Sequence, residues 1–416
     1  MNADLSSETI DLTDPDLFSS GTPHELFARL RRESPVFWTD APADWPASVG
    51  RGQWNITRAA DIRKVSRRWE TYSSARGGVM MDNRDAGGLD IIRETLLGKD
   101  GDEHACQRGI LDDAFSPARV AKLEDRVRSI VNHHVETFIA GGPGDVVEGF
   151  TKKVPLNVIC SLLGIPEEDR EQVFAWAQSV LADGDPEMIR LYGRPEEGRR
   201  KAYEYVETLL TERERCPADD LATFFTTATV GGEPVRQEHR VGLFRQLFEA
   251  GADTTMNTMT TAIQAFTDYP EQWQILLDDR SLIPNAVEEM LRWAGVVTYF
   301  RRTATCDVEL GGQTIHEGDS VIMWYASANR DDEAFDHADT FDVTRESCAH
   351  FAFGGGGRHF CVGASLARLE LRIMLETLLE RLPDLRVAGP MRRTRSNVVL
   401  GVTELPVTFS ARLTAQ

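Results

Sequence analysis

Apolar residues recur at helical spacing along most of the chain, and strand-like runs are confined to a few short regions. Spacing of i, i+3, i+4 and i+7 is typical of amphipathic helices, whereas short β-branched and aromatic runs are typical of strands. This pattern predicts helices over residues 23–34, 59–70, 117–140, 147–163, 167–183, 195–215, 218–226, 237–268 and 282–294, with another beginning near Cys361. It predicts strands over 35–39, 53–57, 295–304 and 319–326, and a hairpin over 308–315.

The fold class that follows is mainly α with a small β-rich region. The β-rich part lies mainly at 35–75, 295–326 and 385–412, and the helical part is the remainder. No Pro/Gly/Ser-rich linker divides the 416 residues, so we expect residues 1–416 to form a single domain that could bury a cofactor. Residues 77–101 are glycine-rich and irregular, and a long loop in a compact domain is usually functional or mobile.

Charge and cysteine usage exclude several classes of partner. The chain has 46 basic and 66 acidic residues, a net charge of −20, which argues against binding to nucleic acid and to anionic membranes. The six cysteines have no paired spacing, which favours a reducing compartment. The first residues are polar and acidic, and no apolar run reaches the ~18 residues that span a bilayer. We therefore expect a cytoplasmic protein without a membrane anchor, and a monomer.

Residues 353–363 are the most distinctive stretch of the chain. They read Phe-Gly-Gly-Gly-Gly-Arg-His-Phe-Cys-Val-Gly and run into a helical pattern. The positive end of a helix and its free backbone N–H groups lower the pKa of a nearby thiol, so Cys361 is predicted to favour the thiolate. Residues alone also allow a glycine-rich turn with a buried cysteine. A phosphate-binding loop is disfavoured because no Lys-Ser/Thr follows, and a zinc site is disfavoured because no Cys-x-x-Cys pair occurs.

Three polar patterns stand out within the predicted helices. The centre of 237–268 contains Gly251, Asp253 and Thr254, which are poor residues for the middle of a helix. Threonine hydroxyls there could bond the preceding turn and bend a core helix, or the polar centre could be a functional site. His104 and Arg108 lie four residues apart, and Glu289 and Arg292 lie three apart. Each of these two pairs shares a helix face, and by spacing alone each is an ordinary surface pair.

Residues 353–363 resemble the cysteine-ligand loop of the cytochrome P450 family, usually Phe-Gly-x-Gly-x-His/Arg-x-Cys-x-Gly. Gly357, His359, Cys361 and Gly363 match that pattern, while an extra glycine moves Phe353 one residue further from the cysteine. His-x-x-x-Arg, Ala-Gly-x-Asp-Thr-Thr, Glu-x-x-Arg and an arginine-bearing strand precede the loop in the family's order. The resemblance covers nearly the whole chain and implies the cytochrome P450 fold, a triangular helical bundle around a buried haem b, of the soluble bacterial type.

The resemblance also implies a role for individual residues. Cys361 would be the axial ligand of the haem iron, Thr254 would hydrogen-bond dioxygen or a neighbouring water, and Asp253 would relay protons from solvent. Residues expected to contact the haem are His104, Arg108, Ala250, Gly251, Arg302, Phe353, Gly354, His359, Cys361 and Gly363, with the first two and Arg302 at the propionates. Glu289, Arg292 and Arg345 would brace the cysteine loop. The expected substrate pocket comprises Val79, Met80, Met81, Val296, Val297, Tyr299, Val399 and Leu400, with residues 184–196 as a lid.

The implied reaction is monooxygenation with two electrons supplied from outside, because no flavin or nicotinamide fingerprint is present. The resemblance implies a ferredoxin and its reductase as partners, with NAD(P)H acting only through them. We expect the partner to dock near Cys361, where Arg358, Arg368 and Arg372 gather positive charge. The longer loop resembles that of bacterial members acting on sterols, terpenoids and branched lipids, so the expected substrate is a hydrophobic sterol, terpenoid or fatty-acyl compound.

Three alternatives stay open from the sequence. The first is an amino acid or polyketide held on an acyl- or peptidyl-carrier protein. The second is ring coupling or desaturation at the same kind of haem. The third is a haem-binding sensor or carrier without turnover, which the Asp253–Thr254 pair disfavours because a carrier needs no proton relay.

Overall fold

The computed structural model describes residues 10–42, 50–81, 89, 92–181, 185–230, 232–346 and 348–410. The predicted loop over 77–101, the helix over 167–183 and the lid over 184–196 therefore lie partly outside the described residues. The helices of the N-terminal half are α1 (His24–Glu33), α2 (Ala59–Arg67), α3 (Gly101–Ala114), α4 (Pro117–Ala121), α5 (Glu124–Gly141), α6 (Lys153–Leu163), α7 (Arg170–Leu181), α8 (Pro186–Tyr192) and α9 (Pro195–Arg215). Those of the C-terminal half are α10 (Leu221–Thr227), α11 (Gln237–Asp268), α12 (Pro270–Asp278), α13 (Ile283–Ala294), α14 (Tyr325–Ala328) and α15 (Ala364–Arg381).

The strands are short and fall where β-branched and aromatic residues cluster. They are β1 (Val36–Asp40), β2 (Gly52–Ile56), β3 (Tyr72–Ser73), β4 (Gly144–Asp145), β5 (Thr229–Val230), β6 (Glu233–Pro234), β7 (Tyr299–Ala304), β8 (Val308–Leu310), β9 (Gln313–Ile315), β10 (Ser320–Trp324), β11 (Arg386–Val387), β12 (Arg392–Arg393), β13 (Val402–Glu404) and β14 (Pro406–Thr408). The mainly α fold class with a small β-rich region is confirmed. The division into one domain over 1–416 stays a prediction.

The main sheet has the strand order β1-β2-β10-β7-β3 and brings distant parts of the chain together. β10 runs parallel to β2, with Ser320 opposite Gln53, and antiparallel to β7, with Val321 opposite Arg302. One face of the sheet covers an aromatic cluster in which Trp324 stacks on Phe18 at 5.6 Å between ring centroids. This packing fixes β7, so that its arginines reach the interior of the molecule.

α11 is the axis of the helical part. Its 32 residues extend about 48 Å at 1.5 Å per residue, and it packs against α6 and α13. The predicted bend does not interrupt it, because the helix is continuous from Gln237 to Asp268. Several predicted boundaries differ from the observed ones: the helix over 117–140 divides into α4 and α5, the helix near Cys361 begins three residues later, at Ala364, and the strand over 319–326 ends at Trp324. Among the described helices, none has the length and apolar character needed to cross a bilayer.

Candidate functional site

A cavity separates the centre of α11 from the glycine-rich loop that precedes α15. One wall is formed by Thr254 and its neighbours on α11, and the opposite wall by the loop that carries Cys361. The end of β7 and the residues before it close a third side. Sequence-predicted residues that line this cavity are Arg108, Ala250, Gly251, Thr254, Val296, Val297, Arg302, Phe353, Gly354, His359, Cys361 and Gly363. The fold thus brings most of the predicted site together around one space.

Backbone geometry places the cysteine at the wall of the cavity. Gly354, Gly356 and Gly357 have φ values of +92°, +86° and +80°, which side chains rarely adopt, and a Cβ on Gly357 would lie 2.8 Å from the carbonyl oxygen of Ser66. The loop can therefore fold tightly against α2. The Cys361 amide then donates to the carbonyl of Phe353 at 3.1 Å, which closes the loop and directs the thiol into the cavity.

The predicted effect on the pKa of Cys361 was wrong in direction. Burial raises the pKa of this thiol, and the opposing contributions of the Gly363 N–H and of Arg108 and Arg368 do not overcome it. The thiol lies just outside α15, so the helix terminus acts only through that single N–H. A metal ion that binds a thiol deprotonates it outright, so the raised pKa does not conflict with a role as a ligand.

One end of the cavity gathers basic side chains, two of which, His104 and Arg302, have no carboxylate partner among the described residues, whereas His359 lies 3.7 Å from the Asp100 carboxylate. His104 is buried and stacks on His359 with 4.3 Å between ring centroids, and neither ring nitrogen of His104 has a hydrogen-bond partner among the described residues. Burial, followed by the charge of His359, lowers the pKa of His104 to about 3. Arg302 is 3% exposed, and its only hydrogen bond within the described chain is to the Arg301 carbonyl. This end is suited to an anionic ligand.

Arg301 and Arg302 have different roles in the structure. Arg301 donates to the backbone carbonyls of Gly77 and Met80, so it holds the described start of the 77–101 loop against β7. Arg302 lines the cavity. Arg108 also lines the cavity and donates to the Arg358 and Phe360 carbonyls, which ties α3 to the cysteine loop.

The polar centre of α11 has two sides. The Thr254 hydroxyl donates to the Ala250 carbonyl at 2.8 Å, so its lone pairs remain to accept a hydrogen bond from a molecule in the cavity. Asp253 does not line the cavity. Its two oxygens accept from the amide groups of Gln178 at 2.9 Å and Asn257 at 3.0 Å, and burial raises its pKa. Two neutral amides, and no cation, therefore hold this carboxyl.

Gly251 has a packing role in addition to the expected one. A Cβ at this position would lie 3.0 Å from Ile159 on α6, so the glycine lets α6 approach α11 closely. The prediction gave only contact with the haem. Both Gly251 and Ile159 line that space, and the glycine serves the contact between the helices as well as the cavity.

The predicted brace is an ion cluster whose central pair, Glu289 and Arg292, is fully buried and whose third member, Arg345, is partly exposed. Glu289 and Arg292 are both 0% exposed and form a bidentate pair at 2.7 Å, and Arg345 donates to the same carboxylate at 3.1 Å. Arg292 also donates to the carbonyls of Asn329, Ala338 and Thr340. The side chain of Asn329 in turn accepts from the Phe351 amide at 2.7 Å, so the cluster reaches the base of the cysteine loop.

Several predicted pocket residues do not line the cavity in this structure. Met81, Tyr299 and Leu400 are buried in the aromatic cluster around Trp324. The segments holding the others pair with neighbouring backbone: Val399 bridges Val297, and the Val79 carbonyl accepts from Arg301. Val296 and Val297 alone of the eight lie in the wall. Strand-like alternation does not show which face of a segment meets the cavity.

The three arginines expected to form a docking surface are mostly paired. Arg368 forms a bidentate pair with Glu288 at 2.6 and 2.8 Å, and Arg372 pairs with Glu124 and Glu376. Arg358 lies over the ring of Trp69 at 4.7 Å and donates to a backbone carbonyl. Of these three, only Arg358 has no carboxylate partner among the described residues, so the positive charge near Cys361 is smaller than predicted.

Sequence reasoning missed three polar residues of this region. Glu370 on α15 lines the cavity, is 2% exposed, and its Oε2 has no partner within the described chain, so burial raises its pKa well above the usual value. A single acidic residue between Leu369 and Leu371 in an apolar helix could have indicated a buried carboxyl at this position. Gln178 and Gln246 carried no such indication, because their partners are distant in the sequence. The described residues contain no cluster of three or more His, Cys, Asp or Glu side chains that could hold a metal ion.

Comparison with known proteins agrees with the geometry. The family model for cytochrome P450 matches residues 199–383. A steroid C26-monooxygenase of Rhodococcus jostii is 34% identical over 97% of this chain and 85% of its own length. A linalool 8-monooxygenase of Pseudomonas putida is 35% identical over 96% of this chain and 98% of its own. A Mycobacterium marinum cytochrome P450 solved in complex with pseudoionone superposes with a TM-score of 0.91 at 35% identity, covering 98% of this chain and 100% of that one.

Proposed function

Because this chain belongs to the cytochrome P450 family, and is therefore a haem-thiolate monooxygenase acting on hydrophobic substrates, we propose that it hydroxylates a free sterol, terpenoid or fatty-acyl compound. The observation that carries this proposal is the placement of Cys361 and Thr254 on opposite walls of one mainly apolar cavity. The names of the steroid and linalool relatives support a free lipid over a substrate held on a carrier protein.

The residues around the cavity fit a haem. When bound, a thiolate-ligated haem supplies the chemistry that splits dioxygen, so that one oxygen atom enters the substrate and the other leaves as water. Cys361 is our candidate ligand, because no other cysteine of the described chain lines the cavity.

His104, Arg108 and Arg302 would hold the propionates. His104 has two ring nitrogens without a described partner, and Arg302 is a buried cation that no described carboxylate contacts. Such groups are costly to bury alone and are stabilised by an anionic ligand. The two haem carboxylates would pair with Arg108 and Arg302, and His104, which is neutral near pH 7 because its pKa is lowered to about 3, would donate a hydrogen bond to one of them.

Asp253 and Thr254 would control the delivery of protons to the cavity. The Thr254 hydroxyl is committed as a donor to the Ala250 carbonyl, so it accepts from a water or a protonated ligand in the cavity and fixes its position. Burial raises the pKa of Asp253, so its carboxyl retains a proton more readily than an exposed aspartate does, and release of the Gln178 contact would free one oxygen to exchange protons with water. Proton delivery thus depends on residues from both α7 and α11.

A test of the proton role compares Asp253→Asn with the wild type. The expected result is product formation slowed by about 100-fold, while haem binding and the spectrum are retained. Because burial raises the pKa of Asp253, its ionisation opposes folding above pH 3.8, which favours the variant at pH 7, whereas the asparagine NH2 group meets the amide donor of Gln178 or Asn257, which disfavours it. Undiminished product formation contradicts the assigned role.

Electrons would come from a ferredoxin and its reductase, in the cytoplasm, to a monomeric enzyme. The six cysteines, all within the described residues, are free thiols, which suits a reducing compartment. Of the three proposed docking cations, Arg358 is the one whose charge no described carboxylate neutralises, so it is the one best able to contact an acidic partner. Arg358→Gln should slow reduction by a ferredoxin and weaken its dependence on salt, whereas Arg372→Gln, whose cation is already paired, should have a smaller effect.

The decisive experiment is the absorption spectrum of the reduced protein with carbon monoxide, followed by titration with sterols, terpenoids and fatty acids and by product analysis. A strongly red-shifted Soret band, a spin-state change with a free lipid and a hydroxylated product are the expected results. A band typical of histidine ligation contradicts Cys361 as the ligand. Turnover only with a carrier-bound acyl or aminoacyl group contradicts the free substrate.

A further inference from the structure

Gln246 is a polar residue in an otherwise apolar part of the cavity wall. It lies on α11, two turns before Thr254, and is half-buried. Its neighbours in the wall include Leu96, Leu97 and Leu247. The Gln246 Oε1 accepts a hydrogen bond from the backbone N–H of Leu96 at 2.9 Å. The side chain is therefore held at one point, by the short 3-10 turn Leu96–Gly98.

This contact fixes which way the amide of Gln246 faces. A backbone N–H can only donate, so it must meet the oxygen of the side-chain amide and not its nitrogen. The amide cannot flip without losing this bond and bringing two donors together. Nε2 makes no hydrogen bond to any residue that the structure describes, and two N–H donors remain for a molecule in the cavity.

The positions of Gln246 and Thr254 on α11 set the distance between two levels of the cavity wall. Eight residues separate Gln246 from Thr254, which corresponds to about 12 Å along the helix axis. Thr254 marks the level at which oxygen chemistry takes place under the proposed function. A substrate that contacts both levels must be elongated, with its reacting carbon near Thr254 and its other end near Gln246.

We propose that Gln246 recognises a hydrogen-bond acceptor, a ketone or hydroxyl oxygen, on an elongated hydrophobic substrate, roughly 12 Å from the carbon that is oxidised. This inference rests on the proposed function. It specifies that the substrate already carries an oxygen atom at the end opposite the site of hydroxylation. An acceptor is selected because the wall offers donors, and a hydrocarbon leaves those donors without a partner.

The test uses straight-chain methyl ketones of increasing length and alkanes of the same lengths, titrated against the haem-loaded enzyme by the spin-state shift of the Soret band. The wild type should bind the ketone about tenfold more tightly than the alkane at the best length, and should hydroxylate it far from the carbonyl. Equal affinity for ketone and alkane at every length overturns the inference.

Gln246→Glu is the informative variant, because its carboxylate still accepts from the Leu96 N–H but presents an acceptor to the cavity. It should lose the preference for ketones over alkanes of the same length. Gln264→Leu, on the same helix but bonded to Asp268 at the surface, is the matched control and should keep the preference. A ketone preference unchanged in Gln246→Glu also overturns the inference.

These outcomes are separate from failure of the proposed function. If the wild type hydroxylates alkanes and ketones alike, the monooxygenase reaction stands and the recognition role of Gln246 is wrong. If the reduced carbon-monoxide spectrum shows no thiolate ligation, the proposed function itself fails.

Discussion

Replacing Glu289 by Gln removes one charge from the buried ion cluster while keeping the size of the side chain. In the native protein the carboxylate accepts two hydrogen bonds from Arg292, one from Arg345 and one from the Asp342 amide. A glutamine offers one oxygen and brings an NH2 group against N–H donors. Both arginines lose their counter-charge, and Arg292 has no access to water.

The expected cost follows from burial. Breaking a buried pair by removing one partner costs about 3–5 kcal/mol, because an uncompensated charge stays inside. An unfolding entropy of about 2.1 cal/mol/K per residue for a chain of this length converts that cost into a fall of about 3–6 °C in Tm. The matched control is Glu204→Gln, which breaks an exposed pair with Arg200 at 2.7 Å and should cost less than about 1 kcal/mol.

Thermal unfolding is followed by circular dichroism and by the Soret band on the same samples. Because Arg292 is linked through Asn329 to the Phe351 amide, Glu289→Gln should also release haem at a lower temperature than the wild type. Equal Tm values for Glu289→Gln and Glu204→Gln would refute the reasoning from burial. If the Tm falls but the gap between the temperature of haem release and the Tm is the same as in the wild type, the link to the cysteine loop is refuted.

Three further predictions concern the site and its surroundings. Thr254→Ala should divert electrons to peroxide and lower the rate of product formation by about 100-fold with haem still bound; product yield equal to the wild type excludes the hydroxyl role. Cys361→Ser should abolish the red-shifted carbon-monoxide band, and a band that persists excludes Cys361 as the ligand. Burial alone would raise the pKa of Glu288, but the two hydrogen bonds from Arg368 and the His350 ring nitrogen 3.3 Å away outweigh it and lower the pKa to about 2. The stabilisation by Glu288 should be complete above pH 4.5 and disappear as the pH falls toward 2, so the stability difference from Glu288→Gln should shrink over that window and not stay constant.

Local patterns of the sequence predicted the fold class and most of the cavity wall. The cysteine loop, the polar centre of α11 and the Glu289–Arg292 pair each lie within a dozen residues, so their geometry follows from one loop or one helix. Their functional assignments stay predictions until the experiments above are done, whereas the family, the fold class and the monooxygenase activity are confirmed by the comparisons.

Contacts between distant segments could not be predicted in this way. Gln246 meets Leu96 and Gln178 meets Asp253 across 150 and 75 positions, and no spacing rule connects such pairs. The predicted direction of the Cys361 pKa shift was wrong for a related reason. The helix terminus can be recognised in the sequence, but the burial that outweighs its effect on the pKa depends on the whole fold.

The parallel pairing of β2 with β10 has a consequence for how the protein is made. β2 can pair with β1 soon after both leave the ribosome, but its other edge must wait for a strand roughly 270 residues later. At roughly 5–20 residues per second, that edge stays unpaired for about 15–50 s during synthesis. An open strand edge is a site of aggregation, and rapid production should therefore favour insoluble chains unless a chaperone covers this hairpin.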